Sequence, residues 1–209
     1  VITRGTFFRY VLNSVTVVGA ALVLTLAASA FAAYPLSRFK FRLRGVYNLI
    51  ILAGMAIPLH VTLIPVFLMS KRIGVYDSLW ALIGPYVAFN IPMSAFILTG
   101  FMQGIPGEIE EAAEIDGCSR VRTFFKMILP LSFKDVMIAM TFIFMSNISS
   151  FTTPYLIGPN HPMMLGVYLR RQFQTNMNYE LSAALSVVIF LFSSVSAVVY
   201  LYTNLKHKE

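Results

Sequence analysis

Five of the nine acidic residues in this 209-residue chain lie within one short segment, from Glu108 to Asp116. Carboxylates spaced this closely are able to serve in acid–base catalysis or to bind a hard metal ion. However, three of these acids follow Pro106, a residue that suits the first turn of a helix, and acidic side chains in that turn are stabilised by the helix dipole. The solvated first turn of a docking helix explains the acids more simply, and catalysis is therefore disfavoured.

The residues that follow predict a helical hairpin. Gly117 stops the first helix, because glycine takes the left-handed conformation at little cost. Ser119 is placed to cap a second helix, and Pro130 is expected to end it. Each helix has a predicted apolar packing stripe. The stripes are Ile109, Ala112, Ala113 and Asp116 in the first helix, and Val121, Phe124, Phe125 and Ile128 in the second.

Motifs for other chemistry are absent from the sequence. There is no G-x-x-x-x-G-K-[ST] phosphate loop, so ATP binding by that route is not expected, and there is no H-E-x-x-H or G-x-S-x-G motif. The single cysteine excludes an internal disulfide and a cysteine-based metal site.

The composition places the chain in a lipid bilayer. It is 57% hydrophobic and 12% charged, which is too apolar for an ordinary soluble domain. Five charge-free windows each exceed the roughly 20 residues that cross a bilayer core of about 30 Å. We therefore expect one all-α membrane domain over residues 1–209 with five spanning helices. The predicted segments are spans at 11–36, 46–69, 79–102, 136–157 and 181–204, a hairpin loop at 104–131 and an external loop at 158–180.

The basic residues orient these spans, because cytoplasmic loops collect lysine and arginine. If the hairpin is cytoplasmic, ten of the 16 lysines and arginines share its side of the membrane. The hairpin and the C-terminus are thus predicted to lie inside. The formal charge of +7 requires no nucleic acid, since basic and aromatic residues do not interleave on a binding surface.

Polar side chains inside the predicted spans are candidates for a translocation path, because hydrocarbon offers them no hydrogen bonds. Near one of them, Pro58 predicts a kink or break in the second span. The alternative is that these groups bond neighbouring helices together. A translocation path and helix bonding are given equal weight for Asn147 and its neighbours, and helix bonding is preferred for His60 and Asn90. The candidates are His60, Asn90, Ser94, Ser146, Asn147, Ser149, Ser150 and Thr152.

The hairpin resembles the EAA loop in the membrane subunits of binding-protein-dependent, type I ABC importers. The family pattern E-A-A-x-x-D-G-A, followed by a phenylalanine and L-P, is matched between Glu111 and Pro130, with Cys118 in place of the last alanine. The likeness is nearest to the carbohydrate-uptake branch, and within it to the second permease of maltose-type importers. It extends to Asn13-Ser14, residues 34–39, Ile57-Pro58 and Ile64-Pro65.

This resemblance implies a multi-pass protein of the bacterial cytoplasmic membrane, with one more helix upstream and six in all. It implies that the chain is not itself an enzyme and holds no cofactor, while ATP and Mg²⁺ belong to two partner ATPase subunits. A homologous permease, an extracytoplasmic solute-binding protein and the bilayer are the other implied partners. The residues that it assigns to ATPase coupling are Glu108, Glu111, Ala112, Ala113, Asp116, Gly117, Phe124, Phe125 and Pro130.

The external loop has two interpretations. Its position in maltose-type relatives implies contact with the solute-binding protein, whereas its length alone also fits a mobile connector. The candidate contact residues are Asn160, His161, Tyr168, Arg170 and Arg171.

The basic run after the first window is ambiguous as well. Arg38, Lys40, Arg42 and Arg44 form either a surface for the ATPase or anionic lipid, or an anchor at the membrane interface. The anchor is preferred because it requires no partner geometry.

The resemblance favours a saccharide cargo, such as an oligosaccharide. Ser146-Asn147 departs from the Trp-Asn that sugar permeases often have, so a permease for polyamines or other polar solutes is the alternative. A proton-coupled secondary carrier is disfavoured because the spans contain no carboxylate and no internal repeat. A scaffold that docks an ATPase without conducting solute is the remaining alternative.

Overall fold

The computed structural model describes residues 5–161 and 163–206, and this part of the chain folds into helices with no β-strand. The all-α prediction is therefore confirmed. The elements are α1 (Gly5–Arg38), α2 (Arg44–Ala56), α3 (Leu59–Arg72), α4 (Trp80–Gly104), α5 (Glu108–Ile115), α6 (Arg120–Thr123), a π-helical turn (Phe124–Ile128), α7 (Leu129–Leu131), α8 (Phe133–Ile148), α9 (Thr152–Ile157), α10 (Leu165–Arg170), a second π-helical turn (Arg171–Thr175) and α11 (Tyr179–Lys206).

Within the described ranges, three helices are long and apolar enough to cross a membrane: Thr6–Arg38, Trp80–Gly104 and Tyr179–Tyr202. Two bent helix pairs raise the number to five if each pair counts as one span. One pair is α2 with α3, bent by 96°, and the other joins Arg120–Leu131 to α8 with a bend of 74°. This upper count equals the predicted number of five, but the second pair includes Arg120–Leu131, which the prediction placed in the hairpin, and it does not include residues 149–157 of the predicted fourth span.

The predicted break in the second span is confirmed. α2 ends at Ala56, and both Ile57 and Pro58 have extended backbone before α3 begins at Leu59. The cause is local, because the ring of a proline disfavours helical backbone at the residue before it. Proline does not always act in this way here, since α4 remains continuous through Pro85 and Pro92.

The contact between α2 and α4 explains one role of Pro92. Its ring fills the space beside Gly54, where an added Cβ would lie 2.8 Å from the proline Cγ. Glycine at position 54 therefore lets the two helices meet at the level of the ring.

The fourth predicted span is not one continuous helix. α8 ends at Ile148, the chain is irregular over residues 149–151, and α9 begins at Thr152. Irregular backbone at membrane depth requires protein around it, because lipid cannot satisfy its polar groups. Gly166 of α10 lies directly against this irregular segment. A Cβ at position 166 would be only 2.5 Å from the Ser150 carbonyl oxygen, so only glycine allows this close approach.

The central contact of the fold is between α1 and α4. Four small residues of α1, spaced four apart along one face, are fully buried. This stripe explains the close approach of the two helices, because small side chains let helix backbones come near each other in a membrane protein. Its members are Ala21, Thr25, Ser29 and Ala33, each with 0% exposure.

The predicted external loop is largely helical and packs against the protein. Leu165, Gly166 and Val167 of α10 are buried. Ser14 of α1, itself 1% exposed, accepts a hydrogen bond of 2.8 Å from the Leu165 N–H. This bond satisfies a donor in the first turn of α10, and the segment is therefore not a free connector.

We predict that Gly166→Ala destabilises the protein by about 1–3 kcal/mol, because the added methyl group collides with the Ser150 carbonyl and forces the backbone to move. Thermal unfolding of the detergent-solubilised protein measures the effect. Gly19→Ala is the matched control, since nothing lies within 4 Å of a Cβ at that position. Equal melting temperatures for the two variants would contradict the prediction.

Candidate functional site

The charged segment forms the predicted hairpin. α5 runs from Glu108 to Ile115, Asp116 is its C-cap, and Gly117 follows with a φ of +75°. The Cys118 N–H donates to the Ala113 carbonyl at 2.9 Å, and the Gly117 N–H donates to the Glu114 carbonyl at 3.0 Å. This pair of bonds is a Schellman motif, and the predicted role of Gly117 in ending the helix is confirmed.

The second arm of the hairpin runs further than predicted. Ser119 caps it as expected, because its Oγ accepts the Arg122 N–H at 3.4 Å. Pro130 does not end it, however, and the helix continues to Leu131. A π-helical turn precedes the proline, so the Leu129 N–H donates to the Phe124 carbonyl five residues back. The wider turn accommodates a residue that lacks an N–H and would disrupt an ordinary helix interior.

Only part of each predicted packing stripe is buried. In the first arm Ala113 is 1% exposed, whereas Ala112 and Asp116 lie on the surface. In the second arm Phe124 and Ile128 are buried, whereas Val121 and Phe125 are exposed. The stripe predictions are wrong for these exposed residues, because α5 turns the face of Ile109, Glu110 and Ala113 inward and the π-helical turn changes the spacing of the second arm.

The outer surface of the hairpin combines carboxylates with uncovered apolar side chains. Ile115 is 86% exposed and Val121 is 68% exposed, on the two sides of the Gly117 turn. Exposed apolar residues beside charged ones are typical of a surface that a partner protein covers. The surface consists of Glu108, Glu111, Ala112, Ile115, Asp116 and Val121.

A partly buried ion pair joins this hairpin to the end of α1. Arg38 Nε lies 3.4 Å from Glu110 Oε2, and the two side chains are only 9% and 20% exposed. Arg38 Nη1 also donates to the Ile105 carbonyl at 2.8 Å. The interpretation of Arg38 as an interfacial anchor is therefore wrong. Its position directly after an apolar window could not distinguish an anchor from a partner for a hairpin 70 residues later.

Aromatic rings form a second connection between α1 and the hairpin. The Phe124 ring centroid lies 4.9 Å from that of Tyr34 and 5.7 Å from that of Phe31. Phe125 extends the group, with its centroid 6.0 Å from that of Phe31. Pairs at these distances each contribute about 0.5–1.5 kcal/mol beyond burial of their area.

Most of the acids of the hairpin are exposed, and two of them pair with a basic side chain, one at the end of α1 and the other in the second arm. In the described parts of the chain, no three His, Cys, Asp or Glu side chains are grouped to hold a metal ion. Glu114 lies 3.6 Å from Arg120 across the turn, with both side chains more than half exposed. Such a pair contributes little to stability, and it remains available for exchange with a charged partner.

Three of the eight translocation-path candidates meet in one hydrogen-bonded cluster. Asn90 of α4 donates to Asn147 Oδ1 of α8 at 3.2 Å, and the Ser146 Oγ donates to Asn90 Oδ1 at 3.1 Å. Asn147 is 4% exposed, while Ser146 faces the surface. The cluster bonds α4 to α8, as the helix-bonding alternative expects, and the role in conduction stays a prediction.

The other five candidates lie outside this cluster. His60 is exposed in the first turn of α3, and Ser94 is 2% exposed within α4. Ser149 donates to the Met145 carbonyl of its own helix at 2.9 Å. Ser150 lies within the irregular segment that separates α8 from α9, and Thr152 is the first residue of α9.

The five candidate contacts for the solute-binding protein fall into an exposed group and a half-buried group. Asn160, His161 and Arg171 are exposed, and Asn160 donates both its backbone N–H and its Nδ2 to Asp77 Oδ1. Tyr168 instead packs on Tyr10 of α1, with 4.7 Å between ring centroids.

Arg170 is also turned toward the protein. Its guanidinium lies 4.1 Å from the centroid of the Tyr155 ring, and its Nε donates to Gln174. Tyr168 and Arg170 are therefore less available to a partner than their sequence position indicates.

Known proteins similar to this chain are membrane subunits of transport systems. A family model described as "Binding-protein-dependent transport system inner membrane component" matches residues 7–207. The chain is 35% identical over 156 residues to the diacetylchitobiose uptake system permease protein NgcG of Streptomyces coelicolor, which is 75% of this chain and 52% of that protein. It is 30% identical over 156 residues to the trehalose/maltose transport system permease protein MalG of Thermococcus litoralis, which is 74% of this chain and 56% of that protein. The chain thus spans about half the length of the curated relatives it matches.

Solved structures share the fold at low sequence identity. A bacterial ABC transporter involved in the import of the acidic polysaccharide alginate aligns with a TM-score of 0.76 and 22% identity, covering 98% of this chain and 76% of that one. The MetNI methionine ABC transporter in an inward-facing conformation aligns with a TM-score of 0.79 and 15% identity, covering 92% of both chains. The expected fold, that of a type I importer transmembrane domain, is confirmed.

We predict that Asn147→Leu destabilises the protein by about 1 kcal/mol, because it removes the acceptor that bonds α8 to Asn90 of α4. Thermal unfolding in detergent measures the change. Ser149→Ala is the control, since the Ser149 hydroxyl donates within α8. If both variants melt at the wild-type temperature, the cluster does not bond the two helices to a measurable extent.

Proposed function

Because the chain belongs to the family of binding-protein-dependent transport system inner membrane components, we propose that it is the permease subunit of an ATP-driven importer of saccharides. The observation that carries the proposal is the exposed helical hairpin between apolar helices. The hairpin presents exposed carboxylates beside exposed apolar side chains. A surface of this kind requires a soluble partner.

The hairpin is the contact with the ATPase in this proposal. It lies on the side of the membrane that holds ten of the 16 basic residues, and we assign that side to the bacterial cytoplasm. ATP and Mg²⁺ belong to two partner subunits. Ile115 and Val121 enter a cleft of the ATPase, while Glu111 makes a charge-assisted contact with a basic residue there. Closure of two ATPases on nucleotide then moves the hairpins and rearranges the helices as rigid bodies.

The opposite side receives the cargo. Asn160, His161 and Arg171 are exposed there and form the surface that we assign to the solute-binding protein. A second, homologous permease completes the path through the membrane. The cluster of Asn90, Ser146 and Asn147 offers amide and hydroxyl groups, which are able to replace the hydrogen bonds that a sugar makes with water.

The cargo proposed is an oligosaccharide. Relatives named for diacetylchitobiose, for galactooligosaccharides and for trehalose and maltose support this class. The charge pattern argues against polyamines, because the five apolar windows contain no carboxylate to bind a cationic solute.

The substrate class is tested with the solute-binding protein that is encoded beside this permease. We predict that diacetylchitobiose, maltose or a galactooligosaccharide raises the melting temperature of that protein and stimulates ATP hydrolysis by the reconstituted importer. Methionine and spermidine are the comparison ligands. Stimulation by either of them, with no response to the saccharides, would overturn the saccharide proposal.

We predict that Glu111→Lys and Gly117→Asp each lower uptake at least about tenfold, which corresponds to about 1.4 kcal/mol. The first change reverses a charge at the ATPase contact, and the second puts a side chain where φ is +75°. Uptake into proteoliposomes and solute-stimulated ATP hydrolysis are measured together.

Glu180→Lys is the control for that charge reversal, because Glu180 is exposed in the first turn of α11, away from the hairpin. Normal uptake in both hairpin variants, with normal amounts of each in the membrane, would contradict the proposed role of the hairpin in coupling to the ATPase.

A further inference from the structure

The end of α1 and the hairpin are joined by charged groups that are only partly exposed to solvent. Arg38 contacts two separate parts of the hairpin region: the Glu110 carboxylate in α5 and the Ile105 carbonyl in the link from α4 to α5. Tyr34, one turn earlier on α1, lies against the same carboxylate. One guanidinium therefore fixes the position of α5 relative to both α1 and α4.

Burial distinguishes this ion pair from the other one on the hairpin. The Arg38 and Glu110 side chains are 9% and 20% exposed, whereas those of Arg120 and Glu114 are 67% and 58% exposed. Solvent competes with an exposed pair and weakens it. Removing one partner of a largely shielded pair leaves a charge with little compensation from water, so the Arg38–Glu110 contact resists separation more than the exposed pair does.

Some polar atoms of the pair have no hydrogen-bond partner. Arg38 Nε and Nη2 and Glu110 Oε1 have no hydrogen-bond partner in the described residues, so the 3.4 Å contact between Arg38 and Glu110 is an ion pair without a hydrogen bond. An arginine and a carboxylate can form two parallel bonds, and these free atoms allow the contact to tighten without exchange of partners. The pair therefore has unused donors and an unused acceptor for a closer contact, with no change of partner.

We propose that Arg38 is a positioning residue that makes the hairpin and the adjoining end of α1 move as one body. This inference rests on the proposed function, since it concerns how movement at the ATPase contact reaches the membrane. The rings of Phe31, Tyr34, Phe124 and Phe125 supply the contact area. Rings can slide over one another, whereas the buried charges fix one register.

The first test removes the pair without leaving a buried charge. In the double variant Arg38→Met/Glu110→Leu, apolar side chains of similar length replace both partners, and assembly with the ATPase is expected at the wild-type level. We expect uptake to fall at least about tenfold while basal ATP hydrolysis continues, so that more ATP is consumed for each solute moved. Arg120→Met/Glu114→Leu is the matched control at the exposed pair and is expected to retain uptake. Wild-type uptake in the buried-pair variant would overturn the proposal.

The second test replaces the ion pair by a covalent tether. Arg38→Cys/Glu110→Cys is made in a Cys118→Ala background and treated with a short bifunctional thiol reagent. The untreated variant is expected to be uncoupled, and the cross-linked variant is expected to regain uptake, because a tether does not hinder two segments that move together. Uptake that stays lost after cross-linking shows that the segments must separate and overturns the proposal.

These results are distinguishable from failure of the proposed function. If Glu111→Lys and Gly117→Asp have no effect, the hairpin is not the coupling element at all. If those variants are uncoupled while Arg38→Met/Glu110→Leu transports normally, only the role of Arg38 is refuted.

Discussion

Four small residues on one face of α1 allow its backbone to approach α4, and the other helices pack around this pair. Lipid offers no hydrophobic drive for helix association, so the pair depends on close van der Waals contact along the stripe from Ala21 to Ala33. The same contact positions both ends of α1. One end supplies Ser14 to α10, and the other supplies Arg38 to the hairpin. A bulky residue in the stripe would disturb both attachments.

Polar backbone explains where the remaining elements break. The chain leaves helical geometry at Ile57-Pro58 and again over residues 149–151. The first break follows from proline chemistry, and the second is sheltered by Gly166 of α10. The irregular segment after Ile148 lies next to Asn147, whose amide bonds α8 to α4. The most polar part of the helical bundle is thus held by specific bonds and close contacts.

Local chemistry made much of the fold predictable. The apolar windows placed the long helices, and glycine and serine chemistry placed the Gly117 turn and the Ser119 cap. Contacts between distant segments were not predictable from the same signals. Arg38 and Glu110 are 72 positions apart, and each has a simpler local explanation, as an interfacial anchor and as a first-turn acid. The continuation through Pro130 was missed because no residue pattern specified the π-helical turn before it.

The length of α1 has a mechanical consequence. Its 34 residues extend about 50 Å at 1.5 Å per residue, well beyond a hydrocarbon core of about 30 Å. A stiff rod of this length, held along its middle by α4, would act as a lever if it turned about that contact. When one end swings in one direction, the other end swings in the opposite direction, with no rearrangement inside the rod. Movement of a few ångströms at the hairpin would thus emerge on the far side of the membrane, beside α10, as movement of similar size and opposite sense.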